Sequence, residues 1–313
     1  MQYTICYIIR NMSIDKFNPS SVAIAMTTYY PKWYRGKLRS IKHTDKIRGD
    51  LALKSIQRAA KLDYQVVVAD GKSSRSFRKA LSLIPCSKLI MRRPVKSSAA
   101  KRKAIRITAK LPNVKVIVLT EPEKVSLIKD FIPKIVEPIL TDNVDIVVPK
   151  RNLQLFKSTY PGYQYESEIE ANNLYNENLK SNNLMGDKEE FDWFFGPKAF
   201  RNDPKIISLF MKRYSIAYDN FSLPKDYFDP ENYSNILFFP IIQALKKGLK
   251  VKSVEVPFNY PVLQKENEGT GDRELFMEKR KSQRLGLLVE LMHFISYLEK
   301  NPNSGVKLIK RNH

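Results

Sequence analysis

The chain has 313 residues and a formal net charge of +22, from 54 Lys and Arg against 32 Asp and Glu. Its length suits one large domain or two smaller ones, and 43% hydrophobic residues exclude a disordered basic tail. Two cysteines and three histidines exclude a disulfide scaffold and a multi-cysteine zinc site, and disfavour a His-rich metal site. The excess of positive charge favours an anionic partner, such as nucleic acid, a membrane surface or a phosphorylated small molecule.

The positive charge is concentrated in the first third of the chain. Residues 1–110 carry 25 Lys and Arg against 5 Asp and Glu, a net charge of +20, and residues 111–313 carry the remaining +2. A solvated basic face explains any single lysine, but an excess this one-sided indicates a surface that meets an anion.

The start of the chain does not have the pattern of a signal peptide. Its apolar run, residues 3–9, is followed by Arg10 and preceded by no basic residue, which is the reverse of the expected order. No stretch approaches the roughly 20 apolar residues of a membrane span. We therefore expect a cytoplasmic protein without a transmembrane segment.

Apolar runs alternate with helix-like stretches along the chain. The runs predict strands at residues 21–27, 64–69, 88–91, 114–119, 144–148 and 251–256. Helical spacing predicts helices over residues 76–83, 98–110, 127–139 and 236–247, with another beginning near Gly49. The pattern predicts an α/β fold with a mainly parallel, Rossmann-like central sheet flanked by helices. Residues 152–190, rich in Asn, Tyr and Glu, predict a substrate-shaping loop region or a polar surface excursion.

Polar residues follow the first two strands of this predicted sheet. Ligands of such sheets lie off the carboxyl ends of the strands, so Thr27, Thr28 and Tyr29 are candidates to line a pocket there. Asp70, at the end of the second strand, can accept hydrogen bonds from a base or ribose, although Asp-Gly is also a common turn.

Two later segments have the residue types of a phosphate site and a cation site. Lys96 precedes the helix that starts near Ser98, where helix amides and a lysine attract phosphate, or where a serine merely caps the helix. Glu121 and Glu123 follow the strand 114–119, where two carboxylates suit Mg²⁺ or Mn²⁺, or favour the dipole of the next helix. P-loop and G-x-G-x-x-G motifs are absent, which disfavours a P-loop NTPase or a Rossmann dehydrogenase.

Taken together, these segments resemble nucleotide-sugar-dependent glycosyltransferases of the A-type fold, closest to the family 2 style. The resemblance spans about residues 20–290. The order and spacing of the motifs along the chain are more specific than any one motif. The resembling segments are 25–31, 66–71, 94–99 (with serines in place of glycines), 116–123, 196–201 (similar to the acceptor-side loop), 239–251 and 274–284 (similar to the tail of some such transferases).

The resemblance implies a role for each candidate residue. The expected nucleotide-sugar ligands are Thr27, Thr28, Tyr29, Asp70, Arg75, Lys96, Lys101 and Arg102. Glu121 and Glu123 stand where the family has its D-x-D motif and are expected to hold a divalent cation, Mg²⁺ or Mn²⁺. Asp192 and Trp193 are expected to face the acceptor.

The sequence departs from the family at the position of the catalytic acid. The usual acidic pair aligns with residues 234–235, which are Ser and Asn, and the nearest carboxylates are Asp229 and Glu231. Either of these is a candidate general base if the reaction inverts the anomeric configuration. Two alternatives stay open. The reaction could retain the anomeric configuration, which needs no enzymic base at this position, or the protein could have lost transferase activity.

The resemblance divides the chain into an extension (1–20), a nucleotide-sugar-binding half (21–150), an acceptor-binding half of the same domain (151–300) and a polar tail (301–313). The expected partners are a nucleotide-diphosphate sugar and an acceptor that the sequence does not identify, with an anionic acceptor one way to explain the excess charge. A nucleic-acid-binding protein and a nucleotidyltransferase of related fold are the alternatives, although no known nucleic-acid-binding signature is present.

Overall fold

The computed structural model describes residues 17–85, 87–91, 97–186, 189–214, 233–271 and 273–300. Seven strands form one sheet. They are β1 (Val22–Thr28), β2 (Gln65–Asp70), β3 (Ser87–Met91), β4 (Val116–Leu119), β5 (Ile146–Arg151), β6 (Lys198–Arg201) and β7 (Val251–Val256).

The sheet has the strand order β3-β2-β1-β4-β6-β5-β7. Strands β1 to β4 are parallel to one another, and β7 is parallel to β5. Strand β6 lies between β4 and β5 and runs antiparallel to both. The predicted α/β class with a mainly parallel sheet is therefore confirmed.

Helices cover both faces of this sheet. They are α1 (Thr44–Lys61), α2 (Arg75–Ser82), α3 (Ser97–Thr108), α4 (Ile132–Thr141), α5 (Leu153–Thr159), α6 (Gly162–Ser181), α7 (Pro204–Met211), α8 (Phe239–Lys246), α9 (Val262–Glu268) and α10 (Arg273–Lys300). Short π-helical segments, Leu127–Phe131 and Ser234–Phe238, precede α4 and α8.

Alternate residues of each central strand point into two separate hydrophobic clusters. In β1, Ala23 and Ala25 belong to one cluster, while Val22, Ile24 and Met26 belong to the other. Because both faces are buried, these strands are continuous apolar runs instead of alternating patterns. This is why the apolar runs in the sequence were sufficient to predict β1, β2 and β4.

Two predictions about the second half of the chain are wrong. Residues 152–190 are not a loop region, because they contain α5 and the 20-residue helix α6. Helix α6 buries polar side chains at helical spacing, including Gln164, Glu168, Asn172 and Asn176, so it lacks the apolar stripe of an ordinary amphipathic helix. The segment 196–201, interpreted as a loop, contains β6.

Candidate functional site

The carboxyl ends of β1, β2 and β4 bring three predicted segments to one edge of the sheet. Thr28 lies opposite Asp70 in the β1–β2 register, and Leu119 lies opposite Ala25 in the β1–β4 register. The polar residues that follow these strands are therefore neighbours, as the predicted topology requires.

Asp70 is held entirely by its own loop and by β1. Its Oδ1 accepts hydrogen bonds from the hydroxyls of Thr28, at 2.8 Å, and Ser73. Its Oδ2 accepts from the backbone N–H groups of Lys72, at 3.1 Å, and Ser73, at 3.0 Å. Asp70 is fully buried. These four donors occupy the carboxylate, so neither Asp70 nor the Thr28 hydroxyl is presented to a nucleoside as expected.

The other predicted nucleotide ligands lie in different surroundings. Thr27 is half-buried, and Tyr29 and Arg75 are exposed. Lys101 donates to the Ser97 hydroxyl at 2.7 Å and lines the cleft described below. Lys96, Asp229 and Glu231 lie outside the described residues.

Arg102 has a structural role instead of a ligand-binding one. Its guanidinium is buried and donates to the backbone carbonyls of Phe210, at 3.2 Å, and Asn235, at 2.9 Å. Burial, together with the nearby charge of Arg213, lowers the pKa of Arg102 to about 10. These contacts connect α3 to the segment before α8.

The two acids after β4 have different partners. Glu123 is buried, and its Oε1 accepts from the Tyr30 hydroxyl at 2.8 Å and forms an ion pair with Arg48 at 2.7 Å. Burial and the charge of Glu123 raise the pKa of Tyr30, so this hydroxyl stays protonated and continues to donate. Glu123 is therefore already neutralised by a cation of the protein.

Glu121 has no comparable partner. Its Oε2 is buried without a hydrogen bond among the described residues, and the ammonium of Lys124 lies 3.9 Å from it. Gly196, with a φ of +98°, lies against this carboxylate, and a Cβ atom at that position would stand 2.5 Å from Oε1. Only glycine therefore fits the turn and leaves Glu121 where it is.

Two buried lysines lie near Glu121. Burial lowers the pKa of Lys124, and the negative charge of Glu121 partly opposes this effect. Burial also lowers the pKa of Lys198, in β6, to about 8, with Asp192 and Glu121 opposing it. The Lys198 ammonium donates to the carbonyls of Pro197, at 3.2 Å, and Gly196, at 3.5 Å.

Glu121 and Glu123 do not fit the two-carboxylate cation site predicted from the sequence, because Glu123 is paired with Arg48. Among the described residues, no group of three or more His, Cys, Asp or Glu side chains is arranged to hold a metal ion. The Oε2 of Glu121 is buried without a hydrogen-bond partner among the described residues, and a carboxylate oxygen is the kind of ligand that Mg²⁺ prefers.

Asp192 and Trp193 do not have the surroundings expected of acceptor-binding residues. Asp192 pairs with the buried Arg151 through Nε–Oδ2 and Nη2–Oδ1 contacts of 2.6 and 2.7 Å. Burial alone would raise the pKa of Asp192, but Arg151 outweighs burial and lowers it. Trp193 is fully buried and donates its indole N–H to Asn176 at 2.8 Å, so it has no face free for a sugar ring.

Arg151 anchors a buried ionic network under the site. Its Nη1 pairs with Glu168 of α6 at 2.8 Å, and its guanidinium lies 3.5 Å from the centre of the Phe156 ring. Glu168 also accepts from Arg284 of α10 at 2.9 Å, and Arg280 lies 3.7 Å from it. The network therefore fixes the position of α10 beside the sheet edge.

Two cavities open beside Glu121. The basic cavity, of about 260 Å³, is lined by Lys101, Arg280 and Arg284 and by the ring of Tyr233. The oxygen-lined cavity, of about 240 Å³, takes its name from oxygen-bearing side chains, and cations line it as well. Its lining includes Tyr160, Gln164, Tyr260 and Glu268 together with Arg48, Lys124 and Arg151. Glu121, Phe194 and Arg280 line both cavities, which are therefore two parts of one cleft.

The oxygen-lined cavity collects buried polar atoms that lack a hydrogen-bond partner among the described residues. They are Glu121 Oε2, Tyr160 Oη, Gln164 Oε1 and Glu268 Oε2. Buried polar groups are nearly always hydrogen-bonded, so atoms of this kind facing one cavity indicate a site for water or for a ligand that brings donors.

Several of these residues were missed by the sequence analysis. Tyr160 and Gln164 lie in residues 152–190, which were predicted as a substrate-shaping loop region or a polar surface excursion without either residue being singled out. Glu268 was not assigned a role, and Gly196 was noted only as part of a loop. Arg280 and Arg284 were noted only within a resembling tail. One overlooked signal was the four-residue spacing of Gln164 and Glu168, which places them on one face of a helix.

No protein-family model and no curated protein sequence matches the chain. Among solved structures, it is similar to M. tuberculosis glucosyl-3-phosphoglycerate synthase, with 11% identity over 87% of this chain and 80% of that one, and a TM-score of 0.49. It is also similar to a cytidylyltransferase from Leptospira borgpetersenii serovar Hardjo-bovis (9% identity, 94% and 99% of the chains, TM-score 0.41). The inositol-1-phosphate CTP transferase from T. maritima is similar as well (11%, 85% and 97%, TM-score 0.41). These similarities concern the fold.

Within the described ranges, the helices are all too short or too polar to cross a bilayer.

Proposed function

We propose that the protein is a glycosyltransferase that moves a sugar from a nucleotide-diphosphate donor to an acceptor hydroxyl. The observation that carries the proposal is the composition of the cleft at the carboxyl ends of the strands. One part contributes Lys101 and Arg284, the other contributes the unpartnered oxygen atoms of Tyr160, Gln164 and Glu268, and both share Arg280 and Glu121. The further cations of the second part include Arg48 and Arg151, which are ion-paired with buried carboxylates. Cations suit a diphosphate, and oxygen acceptors suit hydroxyl groups.

The basic cavity suits the diphosphate. Lys101 lies in the first turn of α3, where helix amides add positive potential, and Arg280 and Arg284 approach from α10. Arginine binds phosphate oxygens through two parallel N–H groups, and such charge-assisted hydrogen bonds are stronger than neutral ones. The Nε of Arg284 has no hydrogen-bond partner among the described residues.

The oxygen-lined cavity suits hydroxyl groups. The free carboxylate oxygen of Glu121, where the two cavities meet, can accept a hydrogen bond from a hydroxyl of the donor sugar. The unpartnered oxygen atoms of Gln164 and Glu268 can accept hydrogen bonds from hydroxyls of the acceptor. Aromatic rings also line this cavity, and among them Phe194 lines the basic cavity as well. In this proposal Phe194 takes the position expected of Trp193.

Glu121 lies where the sugar–phosphate bond would break. Its negative charge favours the positive charge that develops on the sugar ring as the diphosphate leaves. A divalent cation held by the free oxygen of Glu121 remains part of the proposal, and it would offset the charge of the departing diphosphate.

A thermal-shift screen tests the proposal. The panel contains UDP-glucose, GDP-mannose, ADP-glucose and CDP-glucose, the free nucleoside diphosphates, the nucleoside triphosphates and a single-stranded oligonucleotide, each with and without Mn²⁺. We expect a nucleotide sugar to raise the melting temperature, and a larger shift with Mn²⁺ would indicate the cation. A shift with the oligonucleotide alone, disappearing steeply with salt, would contradict the proposal and favour nucleic-acid binding. A shift with triphosphates alone would favour a nucleotidyltransferase.

Two neighbouring residues of α10 provide a matched pair for the same screen. Arg280 lines the cleft, whereas Lys279 is exposed. We expect Arg280→Gln to weaken binding of the nucleoside diphosphate by about 10-fold or more, because it removes one charge-assisted contact. Lys279→Gln removes the same charge from the helix and is expected to bind as the wild type does. Equal losses would mean that only the general positive charge of the protein matters.

A further inference from the structure

We propose that Glu268, the last residue of α9, is the general base that removes the proton from the acceptor hydroxyl in the oxygen-lined cavity. This inference rests on the proposed function and adds the acceptor side of the reaction to it. Asp229 and Glu231, the bases considered from the sequence, lie outside the described residues, whereas Glu268 lies within the cleft.

One carboxylate oxygen of Glu268 is fixed and the other is available. Oε1 accepts from the Tyr260 hydroxyl at 2.7 Å and from the Gln264 side-chain amide at 3.2 Å. Glu268 lines the cavity, and its Oε2 is buried without a hydrogen-bond partner among the described residues. Burial raises the pKa of Tyr260, and the charge of Glu268 raises it further, so this hydroxyl remains a donor. A general base needs this combination of a fixed orientation and a free lone pair.

Glu268 also differs from the other acids of the cleft in its charge environment. Glu123 is paired with Arg48, Glu168 with Arg151 and Arg284, and Asp192 with Arg151; Glu121 has Lys124 at 3.9 Å. Within the described ranges, Glu268 forms no ion pair, and its hydrogen-bond donors are the neutral groups of Tyr260 and Gln264. In Glu268, no ion pair within the described ranges occupies the free carboxylate oxygen.

The charged and titratable groups around Glu268 come from every side of the cavity. They are Arg48 of α1, Glu121, Glu123 and Lys124 after β4, Arg151 at the end of β5, Tyr160 and Tyr163 near the start of α6, Tyr260 before α9, and Arg280 of α10.

Side-chain contacts with two other segments hold helix α9 in place. Asn267 donates its side-chain amide to the carbonyl of Ile41 at 2.7 Å, and Lys265 donates to the carbonyl of Ser158 at 3.2 Å. Glu268 therefore has the stable position that proton transfer requires.

Tyr160 and Gln164 complete the acceptor site. The Tyr160 hydroxyl and the Gln164 amide oxygen face the same cavity, and both side chains are about nine-tenths buried or more. Together with Glu268 they offer hydrogen-bond partners to a polyhydroxylated molecule. The acceptor class that this arrangement favours is therefore a sugar or another polyol.

The proposed step is a single displacement. Oε2 of Glu268 takes the proton of the acceptor hydroxyl, and the oxygen forms a bond to the anomeric carbon from the side opposite the diphosphate. The bond between the anomeric carbon and the diphosphate oxygen breaks, and its electron pair leaves with the diphosphate. The anomeric configuration of the product is inverted.

The test compares wild-type protein with Glu268→Gln. Release of nucleoside diphosphate is measured from the nucleotide sugar that shifts the melting temperature, with water, glycerol or glucose as the acceptor. We expect Glu268→Gln to bind the nucleotide sugar as the wild type does and to reduce the rate of release by at least about 100-fold.

A pH profile provides a second measurement. The base must be ionised, so the wild-type rate falls as the pH falls through the pKa of the base. We expect the variant to lose this decline at low pH, which we call the acidic limb. Glu266→Gln, an exposed position on the same helix, is the matched control and is expected to retain both the rate and the limb.

Three results would overturn the assignment of Glu268 without affecting the proposed function. They are an unchanged rate in Glu268→Gln, a product that retains the anomeric configuration by NMR, and an acidic limb that disappears in Asp229→Asn or Glu231→Gln instead. If Glu268→Gln lost binding of the nucleotide sugar, Glu268 would be a donor ligand or a structural residue. If wild-type protein bound no nucleotide sugar, the proposed function itself would fail, and this inference with it.

Discussion

The loops after β2 and β4 each present a carboxylate at the same edge of the sheet, yet the two carboxylates have opposite surroundings. Asp70 follows β2 and accepts hydrogen bonds from four donors, all within its own loop or the adjacent strand β1. Glu121 follows β4 and has a buried oxygen without a partner, facing a cleft.

This difference separates an acid that stabilises the fold from one that is available to a ligand. Asp70 closes its turn and joins two strands, so its hydrogen-bonding capacity is used within the protein. Glu121 is bordered by Gly196 and by the ammonium of Lys124, and its free oxygen remains without a donor. Position at the end of a parallel strand is shared by both acids, so position alone does not identify a ligand-binding residue.

Glu121→Gln is the strongest test of the comparison. The substitution keeps the shape of the side chain and removes its charge, so we expect the rate of transfer to fall by at least about 100-fold with little change in stability. The measurement is release of nucleoside diphosphate from the nucleotide sugar, together with urea unfolding. A variant with the wild-type rate would mean that Glu121 is as uninvolved in the reaction as Asp70.

Gly196→Ala tests whether the shape of the chain around Glu121 matters. The new Cβ would stand 2.5 Å from Oε1, and the φ of +98° disfavours alanine. We expect about a 10-fold or greater loss of activity and a loss of about 1–3 kcal/mol in the free energy of unfolding. Gly186→Ala is the control, because a Cβ there meets no atom within 4 Å. If the two alanine variants behaved alike, Gly196 would not hold Glu121 in place.

Asp70→Asn tests the other half of the comparison. Asparagine replaces one acceptor oxygen by an N–H₂ group, which faces the donors of its own loop. We therefore expect the free energy of unfolding to fall by about 1–3 kcal/mol, while binding of the nucleotide sugar changes by less than about twofold. Urea unfolding and thermal shifts measure the two quantities. Weaker binding at unchanged stability would instead support the nucleotide contact that the sequence predicted for Asp70.

Much of the fold could be predicted because burial leaves a direct mark on sequence. Strands β1, β2 and β4 are buried on both faces and appear as continuous apolar runs. Strand β6 was missed because it has four residues and begins and ends with a cation. Helix α6 was missed because its buried side carries Gln164, Glu168 and Asn172, whose partners are polar groups instead of other apolar side chains.

The candidate site was less predictable, because the sequence indicates which residues meet at an edge but not how they pair. Glu121 and Glu123 are two residues apart, and only the structure distinguishes them, since Arg48 reaches Glu123 from 75 residues away. Trp193 illustrates the same limit, because the adjacent Phe194 lines both cavities, whereas the fully buried Trp193 contributes only to the wall of the basic cavity. Side-chain partners from distant segments decide these roles, and they leave no local pattern.

The smallest expected effect concerns Lys198, which gives Glu121 a buried positive neighbour that Asp70 lacks. The pKa of Lys198 is lowered to about 8 from 10.5, so folding disfavours its charged form. Below pH 8 the Lys198 ammonium is charged in both the folded and the unfolded chain, so burial of its charge lowers the free energy of unfolding by the full amount. Between pH 8 and 10.5 the folded chain loses the proton first, so this destabilising effect of the buried charge declines as the pH rises.

We expect Lys198→Met to raise the free energy of unfolding by about 1 kcal/mol at pH 7. This gain is less than the pKa shift implies, because the carbonyls of Gly196 and Pro197 lose their donor. Urea unfolding at several pH values should show the advantage shrinking between pH 8 and 10.5, and an advantage independent of pH would mean that Lys198 carries no buried charge.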